Sequence, residues 1–472
     1  MVRVVPKLTL LDLENINVIH DHTLSVLSKV GIRVDSKAAI NIFSKSDGCI
    51  IEDNLVKILP ELVEWAIGVS PSSIEIFNRI GGKSILLEST GNNRTHFGIG
   101  VTNLYFQDPI SEQVSPFTRQ HMETSVRLGN YLPNIEFVST IGVIQDVLPS
   151  IGDLVSTLEM IANTTKPLIL LVSDPRQYNL VLDLIEELCI GLDKSCFILP
   201  YFNPISPLVL NKSTAENIIS TVQRGLPLIY SNFGMAGATT PITEAGTLIT
   251  LNAELLAGLV FCQLLQAGTP VVLGSLPASF DIKTMRSFYS PTTFLLNLAC
   301  AELMTYYGIP HCGTSGSDGG WSADLIASGE LWLNHLSSLI GKVGLVPFIG
   351  SIHNSLCFSP TLAVYADQVI EKCKHFSRGF TIDPDMIALD EILETGPGGN
   401  FLMTETTLMN FRSTLQRDLF PKLDIKEWIS QQKPNCDQIL QKYTSELLEH
   451  ISAPEDHDEL IEKGRKFIAE LQ

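Results

Sequence analysis

Apolar and polar positions follow a regular rhythm over most of the chain. From residue 96 onward, short apolar or β-branched runs alternate with amphipathic stretches of helical length. The runs cover 96–101, 135–141, 167–172, 196–201, 227–232, 270–274, 309–313 and 346–352. Helical spacing marks 151–164, 177–192, 213–224, 243–267 and 291–307 between them. Alternating strand and helix implies a parallel sheet with right-handed crossovers. Eight such strands predict a closed (β/α)8 TIM-type barrel. An open doubly wound sheet is the alternative. Gly98-x-Gly100 continues to Asn103, however, and so lacks the third glycine of a dinucleotide-binding turn.

Before residue 96 the rhythm differs. Leu13, Ile16, Ile19, Leu24 and Leu27 recur near helical spacing, and Gly31 supplies the stop. Asp35-Ser36 caps a second short helix, and a third around 59–67 ends before Pro71. Residues 73–101 read as short strands with turns at Gly81-Gly82 and Gly91-Asn92. After Gly396-Pro-Gly-Gly399 come a segment with Trp428, a Lys-Pro break and charged helices. The predicted organisation is α/β: a helical cap with a small β insert at 1–95, the barrel at 96–395, and a helical extension at 396–472. That extension packs on the barrel or on another subunit, so a homo-oligomer is expected.

Composition narrows the partners. The net charge of −19 repels phosphate, so nucleic acid and anionic membrane are excluded as expected partners. It suits a cationic ligand. The nine cysteines form no Cys-x-x-Cys pair, and several lie in apolar runs, as reduced buried thiols do. The N-terminus is no signal peptide and the apolar stretches are interrupted, so a cytoplasmic protein is expected.

No metal site is expected. In His20-Asp21-His22 the histidines are two apart, which on a helix gives different faces, and His311-Cys312 is a strand-end pair with no further ligand at a recognisable spacing. Gly396-Pro-Gly-Gly399 lacks the Lys-Ser or Lys-Thr of a P-loop, and no Gly-x-Ser-x-Gly elbow occurs. The polar residues that follow each strand are the stronger candidates. They include Asp146, Asn203, Asn232, Ser275, Asp318 and His353, and in a barrel they share the C-terminal mouth.

Aromatics accompany them: Tyr105 and Phe106 before Asp108, then Tyr201, Phe233, Phe288-Tyr289, Trp321 and Phe358. A quaternary ammonium ion donates no strong hydrogen bond and is held by aromatic faces, each contributing about 0.5–2 kcal/mol when desolvated. Tyr105, Phe106, Asp108, Tyr201, Asn232, Phe233, Trp321 and Phe358 are therefore the expected substrate-binding set.

Motifs spread over nearly the whole chain resemble the trimethylamine methyltransferase family, in particular its members without pyrrolysine, which act on glycine betaine and other quaternary amines. They include Asp108-Pro-Ile-Ser-Glu-Gln-Val, Asn163-Thr-Thr-Lys-Pro167, Phe233-Gly-Met-Ala-Gly-Ala-Thr-Thr-Pro241, Glu254-Leu-Leu-Ala-Gly-Leu-Val-Phe-Cys-Gln263, Ala267-Gly-Thr-Pro270, Tyr307-Gly-Ile-Pro310 and Gly396-Pro-Gly-Gly-Asn-Phe-Leu402. The resemblance implies a (β/α)8 barrel in one-carbon metabolism. It implies methyl transfer from a small amine to cobalamin carried by a separate corrinoid protein, with no cofactor bound by this chain. Gly234, Ser275, Asp318, Gly398 and Gly399 are expected to face the corrinoid, and His353 to be the catalytic residue. A betaine carboxylate would need a donor, for which His353, His311 and Arg286 are the candidates. Asn400 and Glu405 depart from the family pattern, which has histidine there. The sequence contains only standard residues, and a quaternary nitrogen has no lone pair with which to attack the imine of pyrrolysine. Two other readings are a zinc-dependent barrel methyltransferase or decarboxylase, and a barrel that only binds quaternary amines.

Overall fold

The computed structural model describes residues 2–82, 84–89, 94–189, 196–313, 319–414 and 418–471. Eight parallel strands close into a barrel: β1 (His96–Ile99), β2 (Phe137–Ser139), β3 (Leu168–Leu170), β4 (Ile198–Phe202), β5 (Leu228–Ala236), β6 (Val271–Asp281), β7 (His311–Cys312) and β8 (Leu345–Ile349). Neighbours in sequence are neighbours in space, and β8 pairs back with β1 through Leu345–His96 and Val346–Phe97. These are the eight runs of the sequence pattern, and a helix follows each. The helices are α1 (Arg119–Tyr131), α2 (Gly152–Asn163), α3 (Tyr178–Leu188), α4 (Lys212–Gln223), α5 (Glu244–Leu265), α6 (Pro291–Tyr307), α7 (Leu325–Ile340) and α8 (Pro360–Arg378).

Strand alternation divides the core in two. Phe137, Ile169, Leu199, Ile229, Val272, Cys312 and Leu345 fill the lumen. Val138, Leu168, Ile198, Leu228 and Val346 face the helices. The lumen is plugged from below by a hairpin (Ser73–Phe77 with Ser84–Glu88), whose Ile74, Ile76 and Leu87 join the inner cluster. Its backbone reaches Cys196 and Thr165, just ahead of β4 and β3, which fixes it at the strand-entry end. The expected turn at Gly81 is there, with φ 74°. The second one, at Gly91-Asn92, lies outside the described residues.

The N-terminal cap wraps α5. Helices Leu13–Lys29, Lys37–Phe43 and Pro60–Val69 bury Leu27, Phe43, Val63 and Ala66 in the cluster that holds α5, with Phe43 and Phe261 stacked at 5.4 Å. Among the described residues α5 is the one helix long and apolar enough to cross a membrane, and most of it is buried in protein. A Cβ at Gly258 would stand 2.0 Å from the Tyr230 ring, so this glycine lets α5 lie close on β5. His20 joins cap to barrel, with Nε2 2.6 Å from Glu64 and Nδ1 3.0 Å from the Tyr307 hydroxyl, while His22 bonds back to the Val18 carbonyl. At the other end of the chain, helix Cys436–His450 packs along α8 and helix His457–Glu470 along α2.

Candidate functional site

The upper lumen is aromatic. Tyr201 on β4 and Phe348 on β8 face each other across it, edge to face, with ring centroids 5.2 Å apart. Val101, Leu171 and Leu276 pack around them. Phe233 shares the lumen-facing phase of β5 with Ile229 and Ser231, and pairs in register with Leu276. Among the described residues, neither Tyr201 Oη nor Ser231 Oγ makes a well-formed hydrogen bond. Burial pushes the Tyr201 hydroxyl above the usual tyrosine range, and neighbouring Cys312 and Tyr289 add to the shift. Burial likewise pushes Tyr289 up to about 12, against a hydrogen bond from Ser355. A cavity of about 340 Å³ opens beside Tyr201, walled by residues such as Leu171, Ser173, Asn203, Asn211 and Thr214, with no charged side chain in its described lining.

Three residues expected at the mouth are turned away from it. Asn232, Gly234 and Ser275 do occupy the mouth ends of β5 and β6, but strand alternation directs them outward. Asn232 donates to the Leu251 carbonyl and to Glu254 Oε2, at 2.8 and 3.0 Å. The Ser275 hydroxyl donates to Asn232 Oδ1, and its carbonyl accepts from Asn297. A Cβ at Gly234 would stand 2.5 Å from Leu251 Cδ2, so that position is sealed against α5. Glu254 completes the network, accepting also from Ser206 Oγ and the Leu208 N–H at 2.8 Å each. Burial raises its pKa, and these donors oppose the rise. His311 also points outward, since its neighbour Cys312 fills the lumen. Burial holds its imidazole down to about 3, hence neutral.

A small sheet overlies the seam between the first and last barrel strands. Tyr105–Gln107 pairs in parallel with Cys357–Phe358 in a sheet separate from the barrel. Phe106 is stacked on His121 at 4.0 Å and 6°, and Phe117 and Phe358 complete the cluster. Phe106 is 7% exposed and Phe358 is fully buried, so these rings present little face to a ligand. Tyr105 points out, 41% exposed. Asp108 accepts from the Ile110 and Ser111 N–H groups and from the Ser111 hydroxyl, and the Ser111 backbone bond leads in lowering its pKa.

His353 lies in the turn between Ser351–Ile352 and Cys357–Phe358. His353, Asn354 and Ser355 are all left-handed, with φ 52°, 53° and 70°. Its N–H donates to the Gly320 carbonyl at 2.9 Å, which anchors the turn to the segment carrying Trp321. Trp321 is 67% exposed, and its carbonyl accepts from Gln107. Asp318 lies outside the described residues. Gly398 and Gly399 lie on the segment after α8; among the described residues a Cβ at Gly398 would meet nothing within 4 Å, and one at Gly399 would come nearest to Thr395. Asn400 is there too, accepting from the Leu402 N–H, and Glu405 opens the helix Glu405–Thr414. Among the described residues no three His, Cys, Asp or Glu side chains converge as metal ligands.

The lumen rings differ from those that sequence position favours. Tyr201 and Phe233 are common to both sets. Phe348 and Ser231 have only strand alternation to mark them, and Glu254 stands out as the acid in an apolar helix.

The whole chain, residues 1–472, matches the family model described as trimethylamine methyltransferase (MTTB). A trimethylamine methyltransferase MttB of Desulfitobacterium hafniense (strain DSM 10664 / DCB-2) is 28% identical over 92% of this chain and 90% of its own length. A glycine betaine methyltransferase of Desulfitobacterium hafniense (strain Y51) is 24% identical over 100% of this chain and 98% of its own. In fold, the crystal structure of the Methanosarcina barkeri monomethylamine methyltransferase (MtmB) superposes over 98% of this chain and 88% of its own, with a TM-score of 0.54 at 10% identity. With a closed barrel of eight parallel strands and a family match from end to end, the chain belongs to the trimethylamine methyltransferase family.

Proposed function

We propose that the protein transfers a methyl group from a small quaternary ammonium compound, glycine betaine or a related betaine, to Co(I) of a cognate corrinoid protein. The observation that carries this reading is the aromatic lumen: Tyr201, Phe348 and Phe233, with Tyr289 beside them, next to a cavity whose described lining holds no charged side chain. Aromatic faces attract a methylated cation and release it as its charge disappears. A close carboxylate would hold the charged ground state and slow the reaction.

The corrinoid of the partner supplies the nucleophile. In the transfer the N–CH3 bond breaks, the methyl carbon bonds to cobalt, and the electron pair stays on nitrogen, so a neutral tertiary amine leaves. The leaving amine needs no proton, and the lumen needs no general acid. The barrel holds the methyl carbon at the mouth, orients it and excludes water. His353, in its anchored turn, is the donor for a substrate carboxylate or the group that meets the corrinoid. His311 is screened by the barrel wall, and Arg286 lies exposed on the hairpin after β6.

A demethylation screen of quaternary amines with Co(I) cobalamin as acceptor tests the reading. Formation of methylcobalamin and the matching tertiary amine is expected. Turnover of tertiary amines alone would overturn it. Ammonium binding without transfer to either free or protein-bound Co(I) would favour a binding protein, and activity that depends on bound zinc would favour the zinc enzyme.

A further inference from the structure

The chain leaves the barrel at the end of α8 and comes back to the same helix. On the way out, Phe380–Ile382 pairs antiparallel with Val2–Val4. On return, the Asp418 carboxylate meets Lys372 Nζ at 3.0 Å. Both roots lie on the last third of α8, where Lys374 reaches Asn134 just ahead of β2. That is the strand-entry end of the barrel. The mouth is one helix length away, roughly 28 Å for the 19 residues of α8.

The excursion is folded, yet its apolar side is bare. Helix Leu389–Thr395 shows Leu389, Ile392 and Leu393 at 56%, 50% and 70% exposure, an i, i+3, i+4 stripe of the kind that faces a core. Leu402, Met403 and Met409 are 73%, 79% and 71% exposed. The Thr406 N–H donates to Glu391 Oε1 at 2.8 Å, so helix Glu405–Thr414 is tied to helix Leu389–Thr395. Together these six residues expose roughly 800 Å², most of it apolar. The largest patch on a monomer is about 300–600 Å², and a stable interface takes about 800 Å² from each partner. The ribbon at the root adds a second open feature. It has only two strands, and such a pair is marginal by itself.

We infer that residues 380–411, with the N-terminal strand, form a clasp that binds the same clasp of a second copy across a two-fold axis. A second copy supplies both missing elements at once: an equal apolar face, and a strand edge that makes the ribbon four-stranded. A two-fold contact is closed and self-complementary. The roots of this surface lie at the barrel end opposite the mouth, over which a transfer partner would dock.

The test is sedimentation velocity on the full chain across a concentration series, with Leu393→Glu, Met403→Glu and Met409→Glu combined in one variant. The wild type should sediment at twice the chain mass or an even multiple of it. The variant should dissociate, its Kd raised roughly a hundredfold or more. These side chains are exposed, so the circular dichroism of the barrel should be unchanged. Amide exchange on the wild type is an independent readout, since protection within 386–411 should rise with protein concentration. The inference is overturned by a wild type that stays monomeric at about 100 µM, by a variant that associates as tightly as wild type, by exchange independent of concentration, or by a monomer whose clasp instead captures the corrinoid protein.

Discussion

The Tyr201 and Phe348 rings meet edge to face in the upper lumen, planes at 67°, with the Tyr201 hydroxyl buried beside Ser231 and Asn203 and, among the described residues, without a well-formed hydrogen bond. If the pair forms one wall of an ammonium cage, Tyr201→Leu and Phe348→Leu should each cost about 1–2 kcal/mol of transition-state binding. That is a five- to thirtyfold loss of kcat/KM with the best quaternary amine. Trp332→Phe on α7 is the control. Unchanged kinetics in both lumen variants would leave the rings as packing alone.

The cluster around Phe106 should respond differently. Phe358 is fully buried against Phe106, which stacks on His121. Phe358→Ala is expected to destabilise the fold by about 3–5 kcal/mol, the usual cost of emptying an aromatic core position. Urea unfolding measures this loss, and substrate titration of the folded variant should show affinity close to wild type. A stable variant that binds substrate tenfold more weakly would place this ring in the cage after all.

His353 separates backbone from side chain. Its φ of 52° costs a residue with a Cβ roughly 1–2 kcal/mol. His353→Gly should therefore unfold at a higher urea concentration than His353→Ala. Both should lose turnover equally, by roughly tenfold or more, with free and with protein-bound Co(I), because both lack the imidazole. Full activity in the glycine variant would remove His353 from the chemistry.

Behind β5, Glu254 accepts from Leu208, Ser206 and Asn232 and donates to none of them. Glu254→Gln puts an NH2 group among three donors. The expected loss is about 1–3 kcal/mol of stability, read as a lower midpoint in thermal unfolding. Wild-type stability would show that the network rearranges without penalty.

Acid sensitivity follows from His311 and His335. Both imidazoles are fully buried, and desolvation pushes each down to about 3. In the unfolded chain they titrate near 6.5. Above about pH 6.5 neither state is protonated, and the sites contribute nothing to pH dependence. As pH falls from about 6.5 toward 3, the unfolded chain takes up protons that the folded chain refuses. Stability then drops by up to about 1.4 kcal/mol per pH unit per site. His335→Gln should flatten this slope between pH 6 and 4 in urea titrations. Comparing slopes isolates the histidine from carboxyls such as Asp367, whose raised pKa acts in the opposite direction. Equal slopes would mean that His335 is protonated in the folded state.

The sequence by itself determined the barrel. Eight apolar runs separated by helix-length amphipathic stretches leave few arrangements other than a closed parallel sheet, because each strand must be covered on the outside and filled on the inside. That Tyr105 and Phe106 come close to Phe358 follows from the same closure, since the first and last strands must meet, whereas their pairing in a separate small sheet was decided by the packed structure. Tertiary structure decided which strand-end residues face the lumen. Adjacent residues on a strand point in opposite directions, so a shift of one position separates Tyr201, which faces the lumen, from Asn232 and Ser275, which face α5 and α6. Composition could not show that the membrane-length α5 is buried, because its covering comes from helices more than 170 residues away in the chain. Nor could it show that Leu393, Leu402 and Met409 lie bare. Apolar spacing says that a helix face will be covered, whereas only the packed molecule shows whether its own chain supplies the cover.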